Sequence, residues 1–243
     1  MKKSDASGMT EPGIAEGLRL RDDAEEKLSE AFQIFVREAE SGDPEAVYQL
    51  ARMFDAGYGC TQNWKAAMER YSRAAEAGHR DAIFSVGIMY YYGRSVEKDY
   101  AKAMEYFAKA ADLGLAKAAY NVGVMYDYGT GCDIDYAKAM EWYLKGAELG
   151  SARAMYNIGV MYSKGHGVEV SHEEQFKWYR KSADLGLVNA IHGVGICYHN
   201  GFGVPKDDFE AMRWFVRSAA MGNMRSQKMV DSLKKSVNVF TIS

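Results

Sequence analysis

The sequence predicts an all-α solenoid built from five full helix-turn-helix repeats, with a capping helix at each end. Glycines recur every 36 residues, at Gly42, Gly78, Gly114, Gly150, Gly186 and Gly222. Within each interval, apolar residues recur at helical spacing on both sides of a short loop that begins with glycine. A fixed internal period of this length is typical of arrays that grow by stacking repeats, so repeats rather than globular domains are the units to count.

Each repeat divides into a first helix, A, and a second helix, B. The five repeats span residues 45–80, 81–116, 117–152, 153–188 and 189–224. The glycine just past helix A suits the left-handed conformation that commonly ends a helix. The residue before helix B has a side chain that caps helix N-termini well, and these predicted N-caps are Asn63, Asp99, Asp135, Ser171 and Asp207.

The two ends of the chain depart from the repeat. Residues 1–21 show no helical periodicity and are predicted to be a flexible leader without a fold. The single solenoid is predicted to span residues 22–236, with caps at 22–42 and 225–236 and a tail at 237–243. Polar residues occupy the outer columns of the last helix, as the end of a solenoid requires.

A glycine lies in the middle of four of the A helices, at Gly87, Gly123, Gly159 and Gly195. Glycine inside a helix costs roughly 1 kcal/mol relative to alanine, so its recurrence needs a physical reason. We expect a close approach of a partner helix, with the bulky B-helix residues filling the nearby space; these are Tyr106, Trp142, Trp178 and Trp214.

Composition limits the classes of function. A net charge of -3 argues against a protein that neutralises nucleic acid or an anionic membrane. Neither an apolar segment after the N-terminal lysines nor a window of about 20 apolar residues is present, so we expect a cytoplasmic protein without a membrane span. Cys60 and Cys132 lie two repeats apart, beyond the ~7 Å reach of a disulfide, and are expected to be free thiols, like Cys197.

Two motifs recur with little change. One runs along helix A and its loop, at Ala154, Tyr156, Ile158, Gly159, Tyr162, Gly165, Gly167 and Val168. The other lies on helix B, at Ala137, Lys138, Ala139, Trp142, Tyr143, Lys145 and Ala147. Together they resemble the repeat of the Sel-one-like family, a branch of the tetratricopeptide-like α-solenoids. The resemblance implies a right-handed superhelix whose concave face, lined by A helices, binds peptides or proteins, and it implies adaptor roles.

Helix A carries apolar residues on more lines than its two packing faces need, so the third line is predicted to face the groove. We expect an aromatic-lined groove in which Asn and Asp side chains hold an extended peptide, with its centre at Phe84, Ile88, Tyr91 and Tyr92. Alternatively, Tyr120 and Tyr156 belong to the core. The full set of predicted groove residues is Arg52, Asp55, Phe84, Ile88, Tyr91, Tyr92, Asn121, Val124, Asp127, Tyr128, Asn157, Val160, Ser163, Lys164 and His199.

No constellation of residues in the sequence predicts catalysis, a cofactor or a metal. His192 and His199 lie on one helix about 10 Å apart along its axis, too far for one zinc ion without ligands from elsewhere. The recurring Gly-x-Gly lacks the Lys and Ser or Thr of a phosphate-binding loop. Charged residues on helix B, such as Lys102, Glu105 and Lys109, are predicted to form a solvated face.

Three functions compete. The first is a non-enzymatic adaptor or scaffold that binds a peptide or protein segment in the groove. The alternative is a self-associating structural protein or a non-catalytic subunit of an enzyme complex, since the aromatic run at Tyr90, Tyr91 and Tyr92 also suits a second copy. The third is an enzyme, for which only the free thiols would offer chemistry.

Overall fold

The computed structural model describes the backbone of residues 11–240 and the side chains of residue 19 and residues 23–235. This part of the chain contains twelve α-helices and no strand. They are α1 (Glu11–Glu40), α2 (Pro44–Ala56), α3 (Trp64–Glu76), α4 (Arg80–Tyr92), α5 (Tyr100–Asp112), α6 (Ala116–Tyr128), α7 (Tyr136–Glu148), α8 (Ala152–Lys164), α9 (His172–Asp184), α10 (Val188–Asn200), α11 (Asp208–Ala220) and α12 (Met224–Phe240).

The chain forms two compact units that divide at Ala103, inside α5. Unit 1 contains the helices before that point and unit 2 those after it. Within each unit, helix A packs on its own helix B, as α2 does on α3 and α8 does on α9. Helix B then packs on the next helix A, as α3 does on α4 and α9 does on α10. This order of contacts is that of a solenoid.

The predicted N-caps of the B helices are confirmed. Asn63 accepts a hydrogen bond from the backbone of Ala66 at 3.0 Å, and the other four caps accept the equivalent bond. The A helices end at glycines in the left-handed conformation, such as Gly129 with a φ of 67°. Capped ends on both sides of the loop make every helix B start at the same point in its repeat.

The helices at the chain ends are longer than predicted. Helix α1 begins at Glu11, so residues 11–21 are helical and do not belong to an unstructured leader. An ion pair between Arg19 and Asp23, four residues apart and 3.7 Å between charged atoms, supports this part of the helix. Helix α12 extends to Phe240, four residues into the predicted tail. Residues 1–10 and 241–243 lie outside the described residues.

The mid-helix glycines of unit 2 lie against an aromatic ring of helix B, as expected, but the ring is not the predicted one. A Cβ at Gly123 would lie 2.5 Å from the ring of Tyr143, and a Cβ at Gly159 the same distance from Tyr179. At Gly195 the ring is Phe215, at 2.6 Å. In each repeat the aromatic that fills the space is therefore the residue after the predicted Trp.

The predicted tryptophans lie on the side of helix B away from the mid-helix glycine, where they make cation–π contacts. Lys145 lies 4.8 Å above the ring of Trp142, and Lys181 lies 4.2 Å above Trp178. Each Trp is thus half-buried beside a cation near the surface. The residue that follows it, Tyr143 or Tyr179, is the one that is buried in the core.

We predict that Gly123→Ala destabilises unit 2, although alanine is the better helix former. The added methyl group would overlap the Tyr143 ring, and overpacking of this kind costs about 1–3 kcal/mol. The free energy of unfolding from urea denaturation measures the loss. In a Tyr143→Leu background the cost of Gly123→Ala should shrink, and an equal cost in both backgrounds would contradict the ring contact as its cause.

Candidate functional site

The predicted groove residues all keep some accessible surface. Arg52, Tyr92, Tyr128 and Lys164 are exposed, with Tyr128 at 72%. The others are half-buried, namely Asp55, Phe84, Ile88, Tyr91, Asn121, Val124, Asp127, Asn157, Val160, Ser163 and His199. The half-buried aromatic and aliphatic side chains that lie in these columns of unit 2 are called here the A-helix face; they are Tyr120, Val124, Tyr156, Val160, His192 and Ile196.

The sequence leaves open whether Tyr120 and Tyr156 belong to the groove surface or to the core. In the structure each tyrosine contacts the core and also keeps accessible surface. Tyr156 stacks on the buried ring of Tyr179, with centroids 5.2 Å apart and planes 17° from parallel. Tyr120 lies 6.1 Å from Tyr143 in a tilted arrangement. Each therefore packs one side of its ring against the core and keeps part of the ring accessible.

A hydrogen-bonded network joins two A-helix side chains, Asp127 and Asn157, to the buried Tyr143. Its hydroxyl donates to the Asp127 carboxylate at 3.0 Å and accepts from the Asn157 amide at 2.9 Å. Burial, followed by the charge of Asp127, raises the pKa of Tyr143, so the hydroxyl stays a donor at neutral pH. Asp127 and Asn157, predicted to hold a peptide, are thus positioned first of all by the scaffold.

The same arrangement recurs where helix B carries a tyrosine. In unit 1, Tyr71 donates to Asp55 at 3.4 Å, and Arg94 pairs with the same carboxylate at 3.3 Å. Ser163 holds the equivalent place next to Tyr179, where burial raises the pKa of the phenol and Ser163 opposes part of the rise. Where helix B instead carries Phe107 or Phe215, the helix A positions hold Tyr91 and His199. The small polar side chains of this column, Asp55, Asp127 and Ser163, therefore occur in the repeats whose helix B carries a buried tyrosine.

Asn121 differs from Asn157 although both occupy the same column. Its B-helix neighbour in the repeat pattern is Phe107, which has no hydroxyl to engage an amide. Within the part of the chain whose side chains are described, Asn121 makes no side-chain hydrogen bond. Its amide therefore lacks the structural role that the amide of Asn157 has, and its predicted part in binding a peptide stays a prediction.

Unit 1 presents an aromatic cluster at the C-terminal end of α4. The Tyr91 ring lies 5.0 Å from Tyr92 and 5.1 Å from Tyr100. Arg94 lies 5.3 Å from the Tyr92 ring and 5.6 Å from the Trp64 ring. Because Tyr92 is 58% exposed and Trp64 is 42% exposed, these rings form an accessible apolar surface beside a cation.

Unit 2 contains a cavity of about 520 Å³ at the N-terminal ends of α10 and α12. Tyr156 and His192 of the A-helix face line it together with Val188, Asn189, Met221, Gly222, Asn223, Met224 and Arg225. His192 is anchored by Ser226, whose hydroxyl lies 2.9 Å from its Nδ1. Burial and then the charge of Arg225 lower the pKa of His192, so the ring is neutral at pH 7.

The other candidate groups for chemistry are used within the scaffold. The three cysteines are free, and burial raises the pKa of each thiol, to about 12 for Cys197. A thiol held protonated in this way is a poor nucleophile. His199 pairs with Asp208 rather than with His192. Among the described residues, no group of three or more His, Cys, Asp and Glu side chains could hold a metal ion.

The structure also bears on two expectations about surfaces. Lys102, Glu105 and Lys109 on α5 are exposed, which confirms the solvated face predicted for helix B. Over the described residues, none of the helices has both the length and the apolar character needed to cross a membrane.

The family of the chain follows from a comparison with protein-family models. The Sel1 repeat model matches residues 44–79, 80–115, 116–151, 152–187 and 188–223, each one residue before the repeats counted from the sequence. The chain therefore belongs to the Sel1-repeat family, and the α-solenoid fold class predicted from the sequence is confirmed. Proteins of this family are generally protein-interaction scaffolds and generally lack catalysis.

Solved structures support the same assignment. The chain is similar to c5321, a protective antigen of uropathogenic Escherichia coli strains with an SLR fold, at 32% identity and a TM-score of 0.79. That match covers 83% of this chain but 43% of the antigen, so the chain spans less than half of the antigen's length. A Sel1 repeat protein from Oxalobacter formigenes matches at 29% identity and a TM-score of 0.77, over 91% of this chain and 90% of that one. A comparison with curated protein sequences finds no match.

The polar residues at the second position of the A helices are not among the predicted groove residues. This column reads Glu45, Asp81, Lys117, Arg153, Asn189 and Arg225. The charge at this position changes from negative in the first repeats to positive in the later ones, and this change is visible in the sequence. Arg225 and Asn189 line the cavity in unit 2, and Arg153 lowers the pKa of Tyr120 through its charge, against the larger effect of burial.

We predict that Tyr143→Phe lowers the free energy of unfolding by about 1–2 kcal/mol, because Asp127 and Asn157 lose their shared partner. Tyr126→Phe is the matched control: no hydrogen bond to its hydroxyl is found among the described residues, and its effect should stay within about 0.5 kcal/mol. A double-mutant cycle with Asp127→Ala should show coupling to Tyr143, and additive losses would argue against the network.

Proposed function

We propose that this chain is a non-enzymatic scaffold that binds an extended segment of a partner protein along its A helices. The observation that carries the proposal is the half-buried state of the A-helix face. Its aromatic and aliphatic side chains pack one side against the core and leave the other side accessible. Recurring accessible apolar surface on a rigid scaffold is typical of protein-interaction sites.

A protein segment suits this surface better than a small substrate does. The apolar columns are long and repeat from helix to helix, whereas polar groups are interspersed singly among them, such as Asn121 and Lys164. An extended peptide offers side chains at regular spacing and backbone groups that an amide can bind. The Asp and Asn side chains already committed to Tyr143 contribute by holding the surface in shape.

Selectivity is proposed to come from the positions that differ between repeats. The end of helix A carries Tyr92, Tyr128, Lys164 and Asn200 in turn, all of them exposed. In unit 1 the aromatic cluster of Tyr91 and Tyr92 supplies accessible aromatic surface, and aromatic rings are enriched where interfaces gain most of their energy. The family's general role as an interaction scaffold supports the proposal.

The test is a proteomic capture from source cells with matched charge insertions. We expect Ile88→Glu and Val160→Glu each to lose at least tenfold of the specifically captured partner, because a buried carboxylate at an apolar interface costs well over 1.4 kcal/mol. Val216→Glu, on the exposed side of helix B, is the control and should leave capture unchanged.

Circular dichroism and a thermal melt should show that the three variants keep their helical fold. Partners that persist through both A-helix substitutions would remove the A-helix face from the proposed function. Loss of capture in all three variants would place binding elsewhere on the chain.

A further inference from the structure

The cavity in unit 2 combines an accessible cation with amide groups above an aromatic floor. Arg225 is exposed, and within the described residues its guanidinium forms no ion pair. Two other arginines of unit 2 do find a carboxylate: Arg180 pairs with Asp184, and Arg213 lies 2.7 Å from Glu210. The charge of Arg225 acts on both aromatic side chains that line the cavity: after burial it further lowers the pKa of His192, and it opposes the larger rise that burial gives the pKa of Tyr156.

Three further features make the cavity favourable to an anion. Asn189 is exposed and makes no side-chain hydrogen bond among the described residues. Asn223 uses its side-chain oxygen to cap α12, accepting from Arg225 and Ser226 backbone groups at 3.0 and 3.1 Å, which leaves its amide hydrogens as donors. The N-terminus of α12 adds the positive end of a helix dipole. The Asn189 and Asn223 amides and the Arg225 guanidinium thus offer hydrogen-bond donors and a positive charge to an anion in the cavity.

The equivalent place in unit 1 is built with the opposite character. There His79 stacks on Tyr48, with centroids 4.4 Å apart, and bonds to Glu45 at 2.9 Å. Asp81 stands in the column of Arg225, and its charge raises the pKa of Tyr48, in addition to burial. One repeat position thus forms a covered acidic site in unit 1 and an open basic cavity in unit 2.

We propose that the cavity of unit 2 binds the side-chain carboxylate of an Asp or Glu in the partner segment, with Arg225 as its counter-ion and Asn189 as a donor. The proposal deepens the proposed function and rests on it. A side-chain carboxylate is favoured because Arg153, a second cation that forms no ion pair among the described residues, lies two repeats earlier in the same column. One chain terminus supplies a single carboxylate, whereas a segment with several acidic side chains can satisfy both arginines.

The spacing of the two arginines gives the segment a register. Two repeats place Arg153 and Arg225 on the order of 20 Å apart, given helix packing distances of about 8–10 Å. An extended chain advances about 3.3 Å per residue, so the two acidic residues should lie about six positions apart.

The test begins with a random library of 12-residue peptides displayed on phage and selected on the full chain. We expect the bound peptides to be enriched in Asp and Glu, with pairs about six residues apart. Selected peptides are then synthesised with amidated C-termini and titrated by fluorescence anisotropy at 0.15 M salt. The peptide's acidic residues are replaced by their amides one at a time. Loss of the carboxylate that binds Arg225 should weaken binding about fivefold, and so should Arg225→Gln in the protein.

Lys234→Gln is the matched control, because it removes the same charge from the same helix at an exposed position outside the cavity. It should leave the affinity within twofold of the wild type. In the Arg225→Gln protein the acid-to-amide change in the peptide should no longer matter, which a general loss of charge would not produce.

The outcomes separate this inference from the function on which it rests. Peptides that bind through Val160 but carry no acidic residue would overturn the carboxylate site and leave the scaffold function standing. Binding that requires a free C-terminus would overturn the side-chain source. A library that yields no binder, together with capture insensitive to Val160→Glu, would overturn both.

Discussion

The contact between a B-helix ring and the bare backbone of helix A is the constraint on which the rest of unit 2 depends. Rings of Tyr143, Tyr179 and Phe215 lie where a Cβ at the mid-helix glycine would be. The missing side chain lets the two helices of a repeat approach closely, and the buried ring fills the space between them. Because the hydroxyl of a tyrosine in this place reaches polar side chains of the A helices, as Tyr143 reaches Asp127 and Asn157, the same contact also favours polar residues at those positions.

Much of the fold could be predicted from the sequence because its signals are local and repeated. The period, the loop glycines and the caps such as Asn63 each follow from backbone requirements that one residue meets. The choice between Trp142 and Tyr143 could not be made in this way. Adjacent residues on a helix differ by about 100° in direction, and either could face inward. The cation three residues after each Trp was the available clue, since Lys145 needs its partner ring near solvent.

The candidate site was only partly predictable, for a different physical reason. Apolar columns such as Val124 and Val160 follow from helical periodicity, and in the structure both side chains are half-buried. Whether a polar side chain is free or hydrogen-bonded depends on the side chain that it faces on another helix, and that side chain is distant in sequence. Asp127 is tied to Tyr143, sixteen residues later, whereas Asn121 finds no equivalent hydroxyl. Likewise, nothing local in the sequence tells that His79 covers Tyr48 while the cavity beside His192 stays open.

Polar residues of the A helices therefore divide into two kinds by what they contact. Asp127 and Asn157 are hydrogen-bonded to the buried hydroxyl of Tyr143, so a substitution at either position first lowers the free energy of unfolding. Arg153 and Arg225 pair with no carboxylate among the described residues and are largely hydrated, so a change there costs the fold little. A repeat scaffold can thus keep its geometry through one set of positions and alter its binding chemistry through the other. The reversal from Asp81 to Arg225 within one column is consistent with that freedom.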